Sequence, residues 1–155
     1  MTGEPPFILR AGTAADADPL ARILRQALTA AVPEVPVRYT PREDAAFVRN
    51  KVLAQTDVTV AEVSGEPVGF ASLARSFIAH LYVAEPFWRR GIGTALVDRA
   101  KAPADRLELF TFQANASARA FYAAQGFREV TFSDGSTNEE RMPDVRLLWE
   151  RAADA

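Results

Sequence analysis

Two arginines and two glycines fall together in Arg89-Arg90-Gly91-Ile92-Gly93-Thr94, directly ahead of a run with helical spacing. Glycine lets a backbone turn tightly and approach a ligand closely. The first N–H groups of a helix have no intrahelical partner and sit at the positive end of its dipole. With Arg89 and Arg90 adding full charge, such a helix start suits a phosphate or pyrophosphate. Proton chemistry has few carriers. His80 is the single histidine and there is no cysteine. The missing cysteines remove an acyl-cysteine intermediate, thiolate metal ligands and disulfides. One histidine gives no zinc set.

The elements that must position this loop are legible on both sides. Ile78 to Val83 is apolar and β-branched enough for a buried strand, and Pro86 ends it. Ile92, Ala95, Leu96 and Ala100 then recur at helical spacing. Two familiar phosphate motifs fail here. A P-loop needs Gly-Lys-Ser/Thr, and Gly93 is followed by Thr94-Ala95. A dinucleotide fingerprint needs a third glycine where Leu96 stands.

At 155 residues the natural reading is a single domain, 1–155. The chain is 48% hydrophobic and 25% charged with a formal net charge of −2, so bulk charge gives no support for nucleic-acid binding. Met1 to Phe7 has no basic, apolar signal segment and no apolar run approaches a membrane span, so the expected setting is cytoplasmic, without membrane contact.

Phe7 to Arg10 reads as a first strand. Asp18-Pro19 reads as an N-cap with proline at the first helical position, followed by the apolar face Leu20, Ile23, Leu24 and Leu28. Pro33 and Pro36 close that helix. Thr40-Pro41-Arg42-Glu43 is a capping box for a second helix running to about Leu53. Val58–Val63 and Val68–Leu73 form a hairpin around Ser64-Gly65. After the phosphate-loop helix, stopped by Pro103, come a strand at Leu107–Phe112, a helix capped by Asn115 and ended by Gly126, and strands at Phe127–Phe132 and Val145–Trp149. The order predicts an α/β fold, a mixed sheet of about six to seven strands flanked by about four helices.

This order, and two blocks within it, resemble the GNAT N-acetyltransferases. Arg90-Gly91-Ile92-Gly93-Thr94-Ala95-Leu96 after Leu81-Tyr82-Val83 is similar to that family's acetyl-CoA loop, Gln/Arg-x-x-Gly-x-Gly/Ala. Asn115-Ala116-Ser117-Ala118-Arg119-Ala120-Phe121-Tyr122, continued to Gly126-Phe127, resembles its Asn-x-x-Ala-x-x-Phe-Tyr segment. One departure stands out. Trp88 occupies the Gln/Arg position, and an indole supplies no guanidinium, so any such side-chain role passes to Arg89 or Arg90.

The resemblance implies acetyl-CoA as cosubstrate, in a cleft between the fourth and fifth strands. It implies that the backbone of Leu81, Tyr82 and Val83 pairs with the pantetheine arm, as an added strand would. Arg89, Arg90, Gly91, Ile92, Gly93 and Thr94 would seat the pyrophosphate, and Asn115 and Ser117 would also meet the cofactor. Helix capping alone accounts equally for Asn115. Tyr122 matches the family tyrosine that protonates the leaving thiolate, a general-acid role. The base is open. His80 is the group of suitable pKa, but strand alternation puts it with Ser76 and Ile78, and only a bulge would reset that register. Glu62 and Glu108, on neighbouring strands, are alternatives. Asp134, Glu139, Glu140 and Asp144, in and at the end of the loop before the last strand, could attract a cationic amine or be solvated surface.

The expected activity is acetyl transfer to a primary amine of a small molecule or peptide by direct attack. A catalytically inactive CoA-binding sensor or interaction module is the alternative, and a nucleotide-binding module a weaker one. Pairing through the last strands makes a homodimer plausible.

Overall fold

The computed structural model describes residues 6–152, so the reading of residues 1–5 lies outside them. Seven strands form one sheet: β1 (Phe7–Ala11), β2 (Asp57–Val63), β3 (Glu66–Ala74), β4 (Phe77–Val83), β5 (Arg106–Phe112), β6 (Arg128–Ser133) and β7 (Asp144–Glu150). Their spatial order is β1-β2-β3-β4-β5-β7-β6. All neighbours are antiparallel except β4 and β5, which run parallel. The four α-helices are α1 (Ala17–Ala31), α2 (Pro41–Phe47), α3 (Ile92–Lys101) and α4 (Ala116–Ala124). Among the described residues no helix is long and apolar enough to cross a membrane.

The helices cover opposite faces of the sheet. On one face α1 buries Leu20, Ile23 and Leu24 against Val58, Val60 and Phe70, with Val48 and Val52 beside them. On the other face α3 lays Ile92 and Leu96 on Ala61, Val68, Ala71 and Val83. Val97, Ala100 and the α4 residue Tyr122 pack there on Ile78, Leu107, Leu109, Val145 and Leu147. Each fully buried Leu, Ile or Phe contributes roughly 1.5–3 kcal/mol relative to exposure, so these two faces hold the sheet rigid beneath the site.

Local signals explain most boundaries. The capping box forms as the sequence predicts: Thr40 Oγ1 accepts from Glu43 N–H at 3.1 Å and Glu43 Oε1 accepts from Thr40 N–H at 3.0 Å. The second helix changes character, however, and Val48–Leu53 is a π-helix rather than a continuation of α2. The first helix starts earlier than Asp18-Pro19 suggests. Asp16, not Asp18, is its N-cap, and Pro19 falls within the first turn, where a missing N–H costs nothing. Asp16 is fixed there by a bidentate pair with Arg10, at 2.9 Å for both bonds, and by the Thr13 N–H at 2.8 Å. Those bonds, Arg10 first, hold its carboxyl below the usual range despite burial.

Candidate active site

β4 and β5 pair at one position, Phe77 with Glu108, and Glu108 N–H donates to Ser76 C=O at 2.8 Å. Beyond it the strands diverge. The result is a cleft of about 810 Å³, lined by Ile78–Val83 on one side and Leu109–Phe112 on the other. That volume lies within the usual range for ligand pockets.

A bulge decides what β4 presents to it. Ser72 pairs with His80 and Leu73 with Ile78, leaving Ala79 as the extra residue. One extra residue reverses the alternation. Ile78 and Leu81 pack on the α3/α4 face, whereas His80 and Tyr82 turn to the α1/α2 face beside Phe70. The simple alternation that groups His80 with Ile78 is therefore overturned, and His80 lines the cleft.

The α3/α4 mouth of the cleft presents groups of the kind that suit an anion. Gly91 is the N-cap of α3 at φ 83°, and a Cβ there would meet nothing within 4 Å. Ala95 N–H is the donor to Gly91 C=O, so the N–H groups of Ile92, Gly93 and Thr94 have no intrahelical partner. Arg89, also left-handed at φ 65°, lines the cleft with Gly91, Gly93 and Thr94. Arg90 does not line it, and its guanidinium lies over the Phe87 ring at 5.1 Å. The Ile92 side chain is core, leaving only its backbone for a ligand.

The β4 edge also narrows the expectation for its backbone. Ala84 N–H donates to Val68 C=O at 2.8 Å. In an antiparallel pair successive residues point their amides to alternate sides, so Tyr82 faces β3, and Leu81 and Val83 face the cleft. Tyr82 thus offers its side chain, not its amide. The Val83 carbonyl is already taken by the Trp88 indole, Nε1 donating at 2.5 Å. A peptide-like arm would find the Leu81 amide groups and the Val83 N–H.

At the start of α4, Asn115 Oδ1 accepts from Ala118 N–H at 3.1 Å and from Ser117 Oγ at 3.2 Å. Asn115 caps the helix and lines the cleft together with Ser117. Tyr122 lies deeper, edge-on to Phe121 and Phe127 at 5.1 and 5.4 Å, and is buried and cleft-lining. Burial, then the neighbouring Tyr82, pushes its hydroxyl pKa up. Tyr122 therefore stays protonated at neutral pH.

The α1/α2 mouth has a different chemistry. His80 Nδ1 is hydrogen-bonded to Ser72 Oγ at 2.8 Å, and its ring sits among Phe47, Phe70 and Tyr82. Burial brings its pKa down to about 4, so the imidazole is neutral. The Tyr82 hydroxyl is pushed up to about 12, by burial first and then by the charge of Glu140, against the pull of Arg25. Two carboxylates line the cleft. Asp144 is occupied: Ser133 Oγ donates to one oxygen and Asn138 Nδ2 to the other. Glu140 accepts no hydrogen bond from the described residues and acts on Tyr82 and Arg25 through its charge.

The remaining candidates lie elsewhere. Asp134 turns back to accept from Ser136 N–H at 2.9 Å, and neither Asp134 nor Glu139 lines the cleft. Glu62 is paired with Arg10 at 2.6 Å on β2, and Glu108 with Arg106 and Arg146. Neither borders the cleft. Conversely, the sequence reading missed the wall that α1 supplies through Ala27, Leu28 and Ala31, and Phe110 and Phe112 opposite. No motif marks them, since only the tertiary fold brings α1 to β4. Among the described residues no cluster of three or more His, Cys, Asp or Glu could hold a metal.

Comparison with known proteins places this geometry. The acetyltransferase (GNAT) domain model matches residues 54–129, which carry the hairpin, the phosphate loop and α4. A 104-residue stretch is 35% identical to the peptidyl-lysine N-acetyltransferase YiaC of Escherichia coli, covering 66% of this chain and 70% of that protein. Among solved structures, the apo form of YjaB from Escherichia coli superposes with a TM-score of 0.79 at 23% identity, over 95% of this chain and 99% of the other. The PaiA N-acetyltransferase of Thermoplasma acidophilum, solved in complex with coenzyme A, superposes at 0.73 with 14% identity, over 94% and 99%. At these identities the two structures speak to the fold alone.

Proposed function

Since the chain belongs to the GNAT superfamily of acetyl-CoA-dependent N-acetyltransferases, we propose that it acetylates a primary amine by direct attack, with Tyr122 as the general acid. The observation that carries this reading is the two-mouthed cleft. An anion seat opens on the α3/α4 side and an acidic, aromatic mouth on the α1/α2 side, with the buried Tyr122 hydroxyl belonging to the same cavity.

Bound acetyl-CoA supplies the acetyl group and a thiolate leaving group. The chain's own groups supply the rest. The N–H groups of Ile92, Gly93 and Thr94, with Arg89, hold the phosphates at the α3 N-terminus. The Leu81 amide groups and the Val83 N–H align the pantetheine arm as an added strand. The Asn115 side chain meets the cofactor while it caps α4. The Tyr122 O–H, kept protonated by burial, donates to the departing sulfur.

Glu140 draws the cationic amine into the other mouth. For the base we assign His80. With Nδ1–H donated to Ser72 Oγ, Nε2 carries the free lone pair, and a neutral imidazole is the form present at neutral pH. The similarity to YiaC makes a lysine side chain of a protein the first acceptor to test.

The test is CoA release from acetyl-CoA with three acceptors: an N-terminally blocked lysine peptide, a peptide with a free N-terminus and no lysine, and a small alkylamine. Faster release with the lysine peptide supports the assignment. Release that does not respond to any amine overturns it.

A further inference from the structure

Phe110, which lines the cleft, is 52% exposed, and Phe47, beside the cleft-lining His80, is 44% exposed. Phe110 lines the cleft and its ring meets Phe77 on β4 at 5.6 Å. Phe47, at the end of α2, stands edge-on to the cleft-lining His80 at 5.7 Å. Single exposed apolar residues need no explanation, but grouped aromatic rings around a binding mouth do.

The fold leaves these rings uncovered for a definable reason. Leu107 and Leu109 point to the α3/α4 face, where they are core. Alternation sends Glu108 and Phe110 to the opposite face, where α1 packs mainly against β3 and β4. The β7 partner of Phe110 is Arg146, whose guanidinium is bound to Glu108. A satisfied ion pair therefore borders the ring on one side, and Phe77 borders it on the other. About half of the Phe110 surface stays open to solvent.

We propose that Phe110 with Phe77, and Phe47 beside His80, form a specificity wall that selects acceptors carrying an aromatic or large aliphatic side chain close to the reacting amine. The inference rests on the acetyl-transfer reading above and names its substrate class: a lysine with a large apolar residue two positions away. Charge supplies the complementary half, because Glu140 in the same mouth attracts the ammonium while the rings take the apolar side chain. In an extended peptide side chains two positions apart point to the same side, so a lysine reaching inward brings the side chain two positions away to the rim.

The experiment compares two N-terminally blocked peptides with one lysine each, carrying phenylalanine or glycine two positions from it on both sides, and a small-amine pair, phenylethylamine and ethylamine. CoA release is measured with wild type, Phe110→Ala and Phe77→Ala. Burying one large apolar side chain predicts a preference of roughly tenfold or more in kcat/KM for the aromatic member, expressed mainly in KM. Phe110→Ala closes that gap by slowing the aromatic member. Melting curves confirm folding, which a half-exposed ring does not control. Equal kcat/KM within both pairs in wild type overturns the wall, as does a preference that survives both substitutions. Absence of any amine-dependent release is a different result, since it overturns acetyl transfer itself.

Discussion

The Trp88 indole donates to the Val83 carbonyl at 2.5 Å, closing the cleft-facing edge of β4 at its last residue. This resolves what the indole does at a position where the acetyl-CoA loop ordinarily has Gln or Arg. Trp88 acts on the strand, not on a phosphate. It ties the loop that carries Arg89 and Gly91 to the end of β4, and in the proposed reading the anion falls to the α3 N–H groups and Arg89. Trp88→Phe keeps the ring and removes the donor. Losing one hydrogen bond of about 1 kcal/mol should lower Tm by about 2–4 °C in a chain of this size, with acetyl-CoA binding retained. An unchanged Tm would mean that the bond contributes nothing.

Gly91 separates backbone strain from ligand exclusion. Its φ of 83° disfavours any side chain, while the space around its Cβ position is open. Gly91→Ala should therefore cost about 1–2 kcal/mol of stability and still bind acetyl-CoA. Gly91→Glu adds bulk and negative charge at the phosphate seat and should abolish binding by calorimetry. If Gly91→Glu binds acetyl-CoA like wild type, the seat lies elsewhere.

Tyr122→Phe removes a buried hydroxyl and little volume. We expect kcat to fall on the order of 10²-fold, the lower range for general-acid catalysis, with the dissociation constant of CoA nearly constant. Steady-state kinetics beside CoA titration decides this. A kcat equal to wild type would assign the proton to solvent.

His80 gives a pH dependence of known sign. Its pKa is about 4 in the fold and about 6.5 in the unfolded chain. Between those values the unfolded state binds the extra proton, so this group lowers stability as pH falls from about 6.5 to about 4 and has no effect above. His80→Gln should flatten that part of the Tm–pH curve. The paired Asp16 adds its own loss at still lower pH, and that loss should persist in the variant. A His80→Gln curve parallel to wild type would show that His80 is not neutral in the fold.

Much of this site was readable in the chain because its signals are local. The capping box at Thr40 and Glu43 needs only three residues' spacing. Ser64-Gly65 forms its turn with both residues at positive φ, 51° and 82°, as a tight hairpin requires. The glycine loop and Asn115 are also short-range signals, and both line the cleft. What escaped depends on contacts between distant segments. The Ala79 bulge is set by register against β3, and it turns His80 to the α1/α2 face. The start of α1 follows from Arg10 reaching Asp16, and Arg10 is itself aligned by Glu62 on β2. Charge between Asp134 and Asp144 pointed to four acids, but only Glu140 and Asp144 line the cleft, in a loop where Asn138 bonds Met142 through both its amide groups.

Glu140 should matter for the acceptor and not for the cofactor. Glu140→Gln should raise KM for a cationic amine roughly tenfold, the factor that about 1.4 kcal/mol of lost attraction gives, with KM for acetyl-CoA nearly constant. An equal rise in both would place Glu140 outside the acceptor mouth.

The most direct test of acetyl transfer is mass spectrometry of a blocked lysine peptide after incubation with the protein and acetyl-CoA, with CoA quantified in the same sample. The account predicts one acetyl group on the lysine nitrogen for each CoA released, and no release above background when that nitrogen is already acetylated. Acetyl-CoA binding without any acetylated product, across the lysine peptide, the free N-terminus and the small amine, would contradict it and leave a protein that holds the cofactor without using it.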